Sequence, residues 1–406
     1  MSGGAVYLGD SYLEASYLEA SYLDAAATAP LRPEALAAML GVLEVGQANP
    51  SSVHSPGYRA ATVLRESREA VANALQARSS EVVFTSGGTE ANNLAVVGLA
   101  LAHPRGRHLV TSALEHPSVL ESCRYLERVF GFEITEVPVD TQGLVAPSSV
   151  AAALRPDTTL VSVGLANGEI GTVQQLGEIA AAAHAVGARV HTDAVQAAAA
   201  LPVSFALDAW PGPVDAMTIA SHKFGGPQGA GALLLRNGTA IEPLLHGGGQ
   251  ELGRRSGTEN VAAIAGFAAA VTASSMQLGT RALAIAAARD ELVARLLGAV
   301  PECQLTGHAS ERLPGHASFV VRGVSGESLL VALDVAGIAA SSGSACAAGR
   351  DEPSAALLAL GLTPELAQTA IRFTLPAPIA AELIDTIVRI VAAEVRAARA
   401  TGSRGD

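Results

Sequence analysis

Helical and strand-like patterns alternate along almost the whole chain after residue 28. A short β-rich run at 81–85 is followed by a helical pattern over 90–102, and an alanine-rich helical pattern over 176–186 leads into a strand-like run at 188–192. Parallel strands of one sheet must be joined by long crossovers, which are usually helices. The alternation therefore predicts an α/β fold with a mostly parallel sheet flanked by helices.

The chain is long enough to form a second, smaller domain. With 406 residues, of which 49% are apolar, it can bury two separate cores. A long helical pattern over 280–297 begins the smaller region, which ends with a helix over about 378–400 and which we expect to be α+β. The expected parts are a repetitive N-terminal tail at 1–20, a large domain at 31–275, and a small domain made of 21–30 and 276–406.

The N-terminal tail is built from a five-residue unit. Ser-Tyr-Leu-Glu-Ala occurs twice and is followed by Ser-Tyr-Leu-Asp-Ala, which together fill 11–25. This unit is too short to form a solenoid repeat. We expect only the third copy to belong to the fold.

Charge, hydropathy and cysteine content exclude several classes of protein. A net charge of −12 argues against a surface for nucleic acid. The longest apolar runs, 94–102 and 261–271, are too short to cross a bilayer, and the first ten residues lack the pattern of a signal peptide. Three cysteines do not make a disulfide framework, so we expect a cytoplasmic protein with one special thiol.

Polar residues follow several of the predicted strands. They are found at 86–89, at 166–169, at Asp193 and at His222-Lys223. Open α/β sheets bind ligands just beyond the carboxyl ends of their strands, so these residues are candidates for one site. The glycines of 86–89 precede a helix whose free amide groups and dipole suit a phosphate, although such a turn is often only structural.

Three side chains that follow predicted strands are suited to specific chemistry. Lys223 precedes a glycine-rich turn at 225–229, where a desolvated amine can condense with an aldehyde; the alternative is a solvated surface lysine. Asp193 leaves a buried strand and needs a cation such as a protonated pyridine nitrogen, or it caps the next helix. His116, in a loop after the strand-like run 108–112, can stack on a flat ring and transfer protons, or it is merely polar.

Arginine and cysteine residues in the C-terminal part add two further candidates. Arg372 lies in an apolar, strand-like run and needs an anion, either a substrate carboxylate or an internal one. Cys346 lies among small residues at 341–349, which predicts an exposed, nucleophilic thiol, or else a residue chosen only for its size. Cys123 and Cys303 are expected to be packing residues. Nothing near Cys346 has the spacing of a metal site.

Taken in order, the motifs resemble those of the cysteine desulfurases, which are fold type I enzymes of the class V aminotransferase superfamily and use pyridoxal phosphate. The likeness runs from about Tyr22 to near the end of the chain. The motifs that carry it lie at 22–28, 49–54, 85–93, 115–117, 167–169, 193–196, 222–223, 254–258 and 341–346. So many motifs in the same order make a chance agreement improbable.

The resemblance implies pyridoxal 5'-phosphate as the cofactor, bound by Lys223 as a Schiff base. Asp193 would pair with the pyridine nitrogen and Gln196 with the phenolic oxygen, while His116 would stack on the ring and assist proton transfer. The other cofactor contacts that it implies, mostly to the phosphate, are Gly88, Thr89, Asn167, Ser221, His222 and, from the second subunit of a homodimer, Thr258.

One position departs from the family pattern. Ala220 stands where the family often has a serine, and Ser221 follows one place later. The phosphate contact assigned to Ser221 depends on this one-residue difference.

The resemblance also implies the reaction and its partners. Asn167 and Arg372 would bind the carboxylate of L-cysteine, and Cys346 would take the sulfur as a persulfide while L-alanine leaves. The long loop around Cys346 is similar to that of the housekeeping enzymes, which pass sulfur to an iron–sulfur scaffold or to thiolation acceptors. The C-terminal segment 396–406 is short and has no long docking tail.

Other functions are compatible with parts of this pattern. A selenocysteine lyase or another aminotransferase-like enzyme of class V would use the same cofactor. A nicotinamide dehydrogenase would need a three-glycine fingerprint after the first strand, and this sequence has none there. That function would also leave Lys223 without a role. A noncatalytic sulfur-relay protein would have lost the cofactor.

Overall fold

A computed structural model describes most of the chain. The residues that it describes are 22–46, 48–102, 105–342 and 353–402. The repetitive tail predicted at 1–20 and the candidate nucleophile Cys346 lie outside these residues.

A seven-stranded sheet lies at the centre of the larger part of the molecule. Its strands are β1 (Val82–Thr85), β2 (His108–Ser112), β3 (Glu133–Val137), β4 (Thr158–Ser162), β5 (Arg189–Asp193), β6 (Ala216–Ala220) and β7 (Gly231–Leu235). They lie in the order β1-β7-β6-β5-β4-β2-β3. Five neighbouring strands, β3, β2, β4, β5 and β6, are mutually parallel, whereas β7 is antiparallel to both of its neighbours, β6 and β1. The predicted α/β fold with a mostly parallel sheet is confirmed.

Helices cover this sheet, as the alternating pattern predicts. They are α1 (Pro33–Val45), α2 (Ser55–Ala74), α3 (Gly88–Ala102), α4 (Pro117–Phe130), α5 (Pro147–Ala153), α6 (Leu176–Ala185) and α7 (Val261–Met276). Strands β1, β2, β4, β6 and β7 are buried at every position, which is typical of strands covered on both faces. The local sequence explains the limits of α4, because Pro117 occupies its first position and Gly131, in the left-handed conformation, follows its last.

A second sheet of three antiparallel strands has its own core. Its strands, β8 (Cys303–Leu305), β9 (His316–Val321) and β10 (Ala370–Thr374), lie in the order β10-β9-β8. The helices that follow α7 are α8 (Leu278–Ala299), α9 (Gly326–Val335), α10 (Ala355–Ala359), α11 (Pro364–Ala367) and α12 (Ala381–Gly402). Phe319 and Phe373 meet edge to face in this core, with ring centroids 6.5 Å apart. The expected smaller α+β region is therefore present.

The N-terminal segment pairs with the smaller sheet region rather than with the large sheet. Tyr22 forms a β-bridge with Ala339, and Asp24 forms one with Thr374.

No single helix of the described residues is long and apolar enough to cross a membrane. Among these residues, only α7 and α8 taken together meet the length and composition required, and this pair is bent by 74° at the break between the two helices. The domain limits at 30/31 and 275/276 stay a prediction.

Candidate active site

The residues predicted from the strand ends lie along one edge of the large sheet. Asp193 is the last residue of β5, and Lys223 ends the single helical turn Ser221–Lys223 that directly follows β6. His116 follows β2 and caps α4, while Asn167 follows β4. Because β2, β4, β5 and β6 are adjacent and parallel, their carboxyl ends bring these four side chains to the same edge.

Lys223 is held by the N-terminal segment. Its Nζ donates hydrogen bonds to the carbonyl oxygens of Ala26, at 2.6 Å, and Ala27, at 3.0 Å. Gln196 Nε2 donates to the same Ala26 oxygen at 3.1 Å, so the amine and this amide converge on one acceptor. Lys223 is also the only lysine among the 406 residues, a signal in the sequence that marks it before any motif is considered.

Asp193 is fixed by two donors. Asn92 Nδ2 lies 2.6 Å from Asp193 Oδ2, and the backbone amide of Val195 donates to Oδ1 at 2.9 Å. Asp193 accepts the Val195 amide as a helix cap would, but residues 195–200 form turns and not a regular helix, so Asp193 caps no helix here. Both oxygens keep lone pairs that can accept from a protonated ring nitrogen.

Asn92 is a site residue that the sequence reasoning missed. It lies on α3, one turn beyond Gly88, and is 1% exposed between Ala91 and Leu94. A buried amide needs a polar partner, so an asparagine within an apolar helical pattern indicates a polar contact that the sequence analysis could have used.

His116 is oriented by Ser118. Ser118 Oγ lies 2.7 Å from His116 Nδ1, and the backbone amide of Ser118 donates to the same nitrogen at 3.1 Å. His116 is exposed as a whole residue, but the surrounding protein still desolvates its ring and lowers its pKa; Asp193 opposes this effect and Lys223 adds to it. His116 is therefore neutral at pH 7.

A second carboxyl group, that of Glu115, lies beneath the site. It accepts hydrogen bonds from Ser112 Oγ at 2.6 Å and from the backbone amide of Gly164 at 3.0 Å. Burial raises its pKa to about 7, with a smaller contribution from the negative charge of Asp193. Sequence reasoning did not single out Glu115.

The glycine turn before α3 forms a close-packed cradle. A Cβ at Gly88 would lie 2.9 Å from Val195 Cγ2 and 3.3 Å from the Cβ of Ala220, so a larger residue there would require its neighbours to shift. Gly88 is the first residue of α3, and the amides of a first helical turn have no acceptor within the helix. Thr89 is exposed beside it. The cradle suits an anion at the positive end of the helix dipole.

The other predicted phosphate contacts differ in their surroundings. His222 Nδ1 lies 3.2 Å from Thr28 Oγ1, and burial, followed by the charge of Lys223, lowers its pKa to about 4. Ser221 is completely buried, its Oγ has no hydrogen-bond partner, and a Cβ at Gly226 would lie 2.0 Å from that oxygen. Its predicted contact is not supported by this burial. Thr258 is exposed.

Arg372 and Asn167 are both engaged with the protein. Arg372 is 3% exposed and donates to Asp24 Oδ1 at 2.7 Å and to the carbonyl oxygen of Gly168 at 3.1 Å. The internal salt bridge, one of the two interpretations of Arg372, is therefore present. Asn167 Oδ1 accepts the amides of Glu169 and Ile170, and one Nδ2 hydrogen goes to the carbonyl oxygen of Leu114, which leaves one hydrogen for a ligand.

The thiols divide into two groups. Cys346 lies outside the described residues, but the chain enters that part of the sequence beside Arg372, because Ser341 and Arg372 exchange backbone hydrogen bonds of 3.1 and 2.6 Å. Cys123 and Cys303 lie in α4 and β8, and burial raises the pKa of each thiol to about 12. Neither is suited to nucleophilic chemistry at neutral pH.

The chain is similar to several known proteins over most of its length. The model of the family "Aminotransferase class-V" matches residues 21–385. The cysteine desulfurase IscS of Dictyoglomus turgidum is 44% identical over 86% of this chain and 88% of its own length, and the IscS-like cysteine desulfurase of Mycobacterium tuberculosis is 39% identical over 92% and 96%. Among solved structures, a NifS-like protein has a TM-score of 0.84 at 32% identity, covering 92% of this chain and 98% of its own. SspA, solved in complex with cysteine, has a TM-score of 0.77 at 31% identity, covering 89% and 100%.

Proposed function

This chain belongs to the class V aminotransferase family and, within it, to the cysteine desulfurases, and we propose that it removes sulfur from L-cysteine using pyridoxal 5'-phosphate. The observation that carries the proposal is the placement of the Lys223 amine, the Asp193 carboxylate and the His116 ring at one edge of the sheet. No other lysine in the chain can take the place of Lys223.

The described residues fit this cofactor, on which the family depends. Lys223 supplies the amine for an aldehyde, and the Gly88 cradle supplies free amides and the dipole of α3 for a phosphate. Asp193, fixed by Asn92, supplies the anion for a pyridine nitrogen. When bound, the cofactor withdraws electrons from the carbon atoms of the substrate.

The substrate carboxylate binds, in this proposal, beside Arg372 and the remaining amide hydrogen of Asn167. The Asp24 carboxylate balances the charge of Arg372 and orients its guanidinium. Because Ser341 pairs with Arg372, the part of the sequence that contains Cys346 follows directly after a residue beside this substrate position.

The sulfur transfer itself involves Cys346. The Cys346 thiolate attacks the sulfur of bound L-cysteine, and an S–S bond forms as the C–S bond breaks. The electron pair of the broken bond stays with the carbon fragment, which takes up a proton and leaves as L-alanine. The persulfide on Cys346 then passes to an acceptor protein, for which we propose an iron–sulfur scaffold or a thiolation enzyme in the reducing cytoplasm.

We also propose that the protein acts as a homodimer, with Thr258 reaching the phosphate of the partner's cofactor. Thr258 is exposed, as are apolar side chains on and after α1, namely Leu36, Leu40, Leu43, Val45 and Val53. Such an apolar surface is typical of a protein interface. Sedimentation of the purified protein at twice the mass of 41.0 kDa is expected.

The test of the proposed reaction measures its two products. Purified protein loaded with pyridoxal phosphate is expected to release sulfide and L-alanine from L-cysteine in the presence of a thiol reductant. Cys346→Ser should abolish both products, whereas Cys303→Ser, which changes a thiol of β8, should retain them. Full activity of Cys346→Ser would refute the assignment, and cleavage of L-selenocysteine without cleavage of L-cysteine would favour the selenocysteine lyase.

The attachment of the cofactor is tested separately by borohydride reduction. Reduction of the yellow protein should fix one cofactor per chain on the peptide that contains Lys223, because the chain has no other lysine. Lys223→Ala should remain colourless after the same treatment. Recovery of unmodified Lys223 from protein that has lost its colour would contradict the proposal.

A further inference from the structure

We propose that Asn92 and Ser118 form a hydrogen-bond relay between Asp193 and His116 that holds the His116 ring in one neutral tautomer, with its proton on Nε2. The relay makes His116 a hydrogen-bond donor at the edge of the site. This inference deepens the proposed function by assigning two positioning residues to it, but its test does not depend on that activity.

The tautomer follows from the partners of His116 Nδ1. The backbone amide of Ser118, 3.1 Å away, can only donate a hydrogen bond, so Nδ1 must be an acceptor without a proton. Ser118 Oγ, 2.7 Å from the same nitrogen, must then donate its single hydrogen to it. The neutral ring therefore carries its proton on Nε2.

The direction of the Ser118 hydroxyl is set by Asn92. Asn92 Nδ2 lies 2.6 Å from Asp193 Oδ2 and 2.9 Å from Ser118 Oγ, so its two hydrogens have one acceptor each. Rotating the amide by 180° would place its carbonyl oxygen against the Asp193 carboxylate. The amide keeps its orientation although Asn92 Oδ1 is buried without a partner, which indicates that both of its donors are needed.

These contacts decide which nitrogen of His116 can donate a hydrogen bond. A proton on Nδ1 would displace the donated hydrogens of both the Ser118 amide and the Ser118 hydroxyl. The charged groups near the ring are Asp193 at the end of β5 and Lys223 after β6, while Glu115, the preceding residue, accepts from Ser112 and Gly164. The ring thus stays neutral at pH 7 and presents Nε2–H outward.

The experiment measures the tautomer and the pKa of His116 in the protein without cofactor. Long-range ¹H–¹⁵N correlation spectra of ¹⁵N-histidine-labelled protein, with His116→Gln to assign the signal, should show a proton on Nε2 and none on Nδ1. In Ser118→Ala the pKa should rise by about 0.5 to 1, since the neutral form loses one of its two donors, while the backbone amide of residue 118 keeps the proton on Nε2. Ser118→Thr, which keeps the hydroxyl, should restore the original pKa.

Ser122→Ala is the matched control. Ser122 lies one turn further along α4, and its hydroxyl donates only to the backbone oxygen of Ser118, at 2.7 Å. It should leave the pKa and the tautomer of His116 unchanged. A proton on Nδ1 in the unsubstituted protein would overturn the proposal without any variant, and so would an unchanged pKa in folded Ser118→Ala. Loss of sulfide production alone would bear on the proposed function and not on the relay.

Discussion

Arg372 and Asp24 form a buried salt bridge of 2.7 Å between β10 and the N-terminal segment, although 348 positions separate them in the chain. The same segment accepts the Lys223 amine through Ala26 and Ala27. Residues 22–28 therefore connect the strand that carries Arg372 with the lysine of the large sheet. The position of the candidate substrate group relative to the candidate cofactor group depends on this short segment.

Removing the carboxylate of this salt bridge should destabilise the protein. In Asp24→Ala the Arg372 side chain, only 4% exposed, loses the Asp24 carboxylate while remaining buried, so the free energy of unfolding should fall by about 3 kcal/mol. Glu69→Ala removes an exposed salt bridge with Arg65 on α2, which water screens, and should cost much less. Equal losses in the two variants, measured by urea denaturation, would show that another anion balances Arg372.

Adding one methyl group at Gly88 should impair the cradle. In Gly88→Ala the new Cβ would lie 2.9 Å from Val195 Cγ2, so the Val195 side chain, the start of α3 or the turn after Asp193 must shift. We expect a loss of about 1–3 kcal/mol in stability and weaker binding of pyridoxal phosphate, measured by fluorescence titration. Gly279→Ala, in α8 with open space around the new atom, should keep the affinity and gain up to about 1 kcal/mol. Unchanged affinity in Gly88→Ala would place the cofactor elsewhere.

Glu115 should make the protein less stable as the pH rises. Its pKa is about 7 in the folded state, whereas the ordinary value, expected in the unfolded chain, is 4.5. The protonated Glu115 therefore contributes fully to the free energy of unfolding below pH 4.5, and this contribution is lost as the pH rises to about 7. Glu115→Gln, which cannot ionise, should therefore lose less stability than the unsubstituted protein between pH 5 and 8, by up to about 3 kcal/mol. The control is Glu121→Gln on the exposed face of α4. Parallel pH profiles for all three proteins would argue against the raised pKa.

His191 should make the protein less stable as the pH falls, which is opposite to the effect of Glu115. It is completely buried between Ser162 Oγ and Thr218 Oγ1, and burial lowers its pKa from 6.5 to about 4. Below pH 6.5 the unfolded chain binds a proton that the folded state refuses, so stability falls as the pH falls toward 4. Between pH 6.5 and 5 this loss is about 2 kcal/mol and should be absent in His191→Gln. An acid dependence that His191→Gln shares fully with the unsubstituted protein would argue against the lowered pKa.

The local pattern was sufficient to predict the elements and several site positions. The run 81–85, the helical pattern 90–102 and the strand before His222 appear in the structure with shifts of one or two residues at their ends. Asp193 and Lys223 were predicted from their places after strands, because the carboxyl ends of parallel strands meet at one edge. The reversal of β7 was not predicted, since its pattern is that of any buried strand.

The amino-acid sequence by itself determined the alternation of strands and helices, the single lysine and the glycine cradle, since these depend on periodicity, composition and local backbone freedom. Only the tertiary structure decided that Asp24 neutralises Arg372, that Ser221 faces the interior and that Asn92 joins Asp193 to Ser118. Such partners are far apart in the chain, and their contacts depend on strand order and on the direction of each side chain. Neither quantity is encoded in a local pattern, because burial and hydrogen bonding are settled only when the elements pack together.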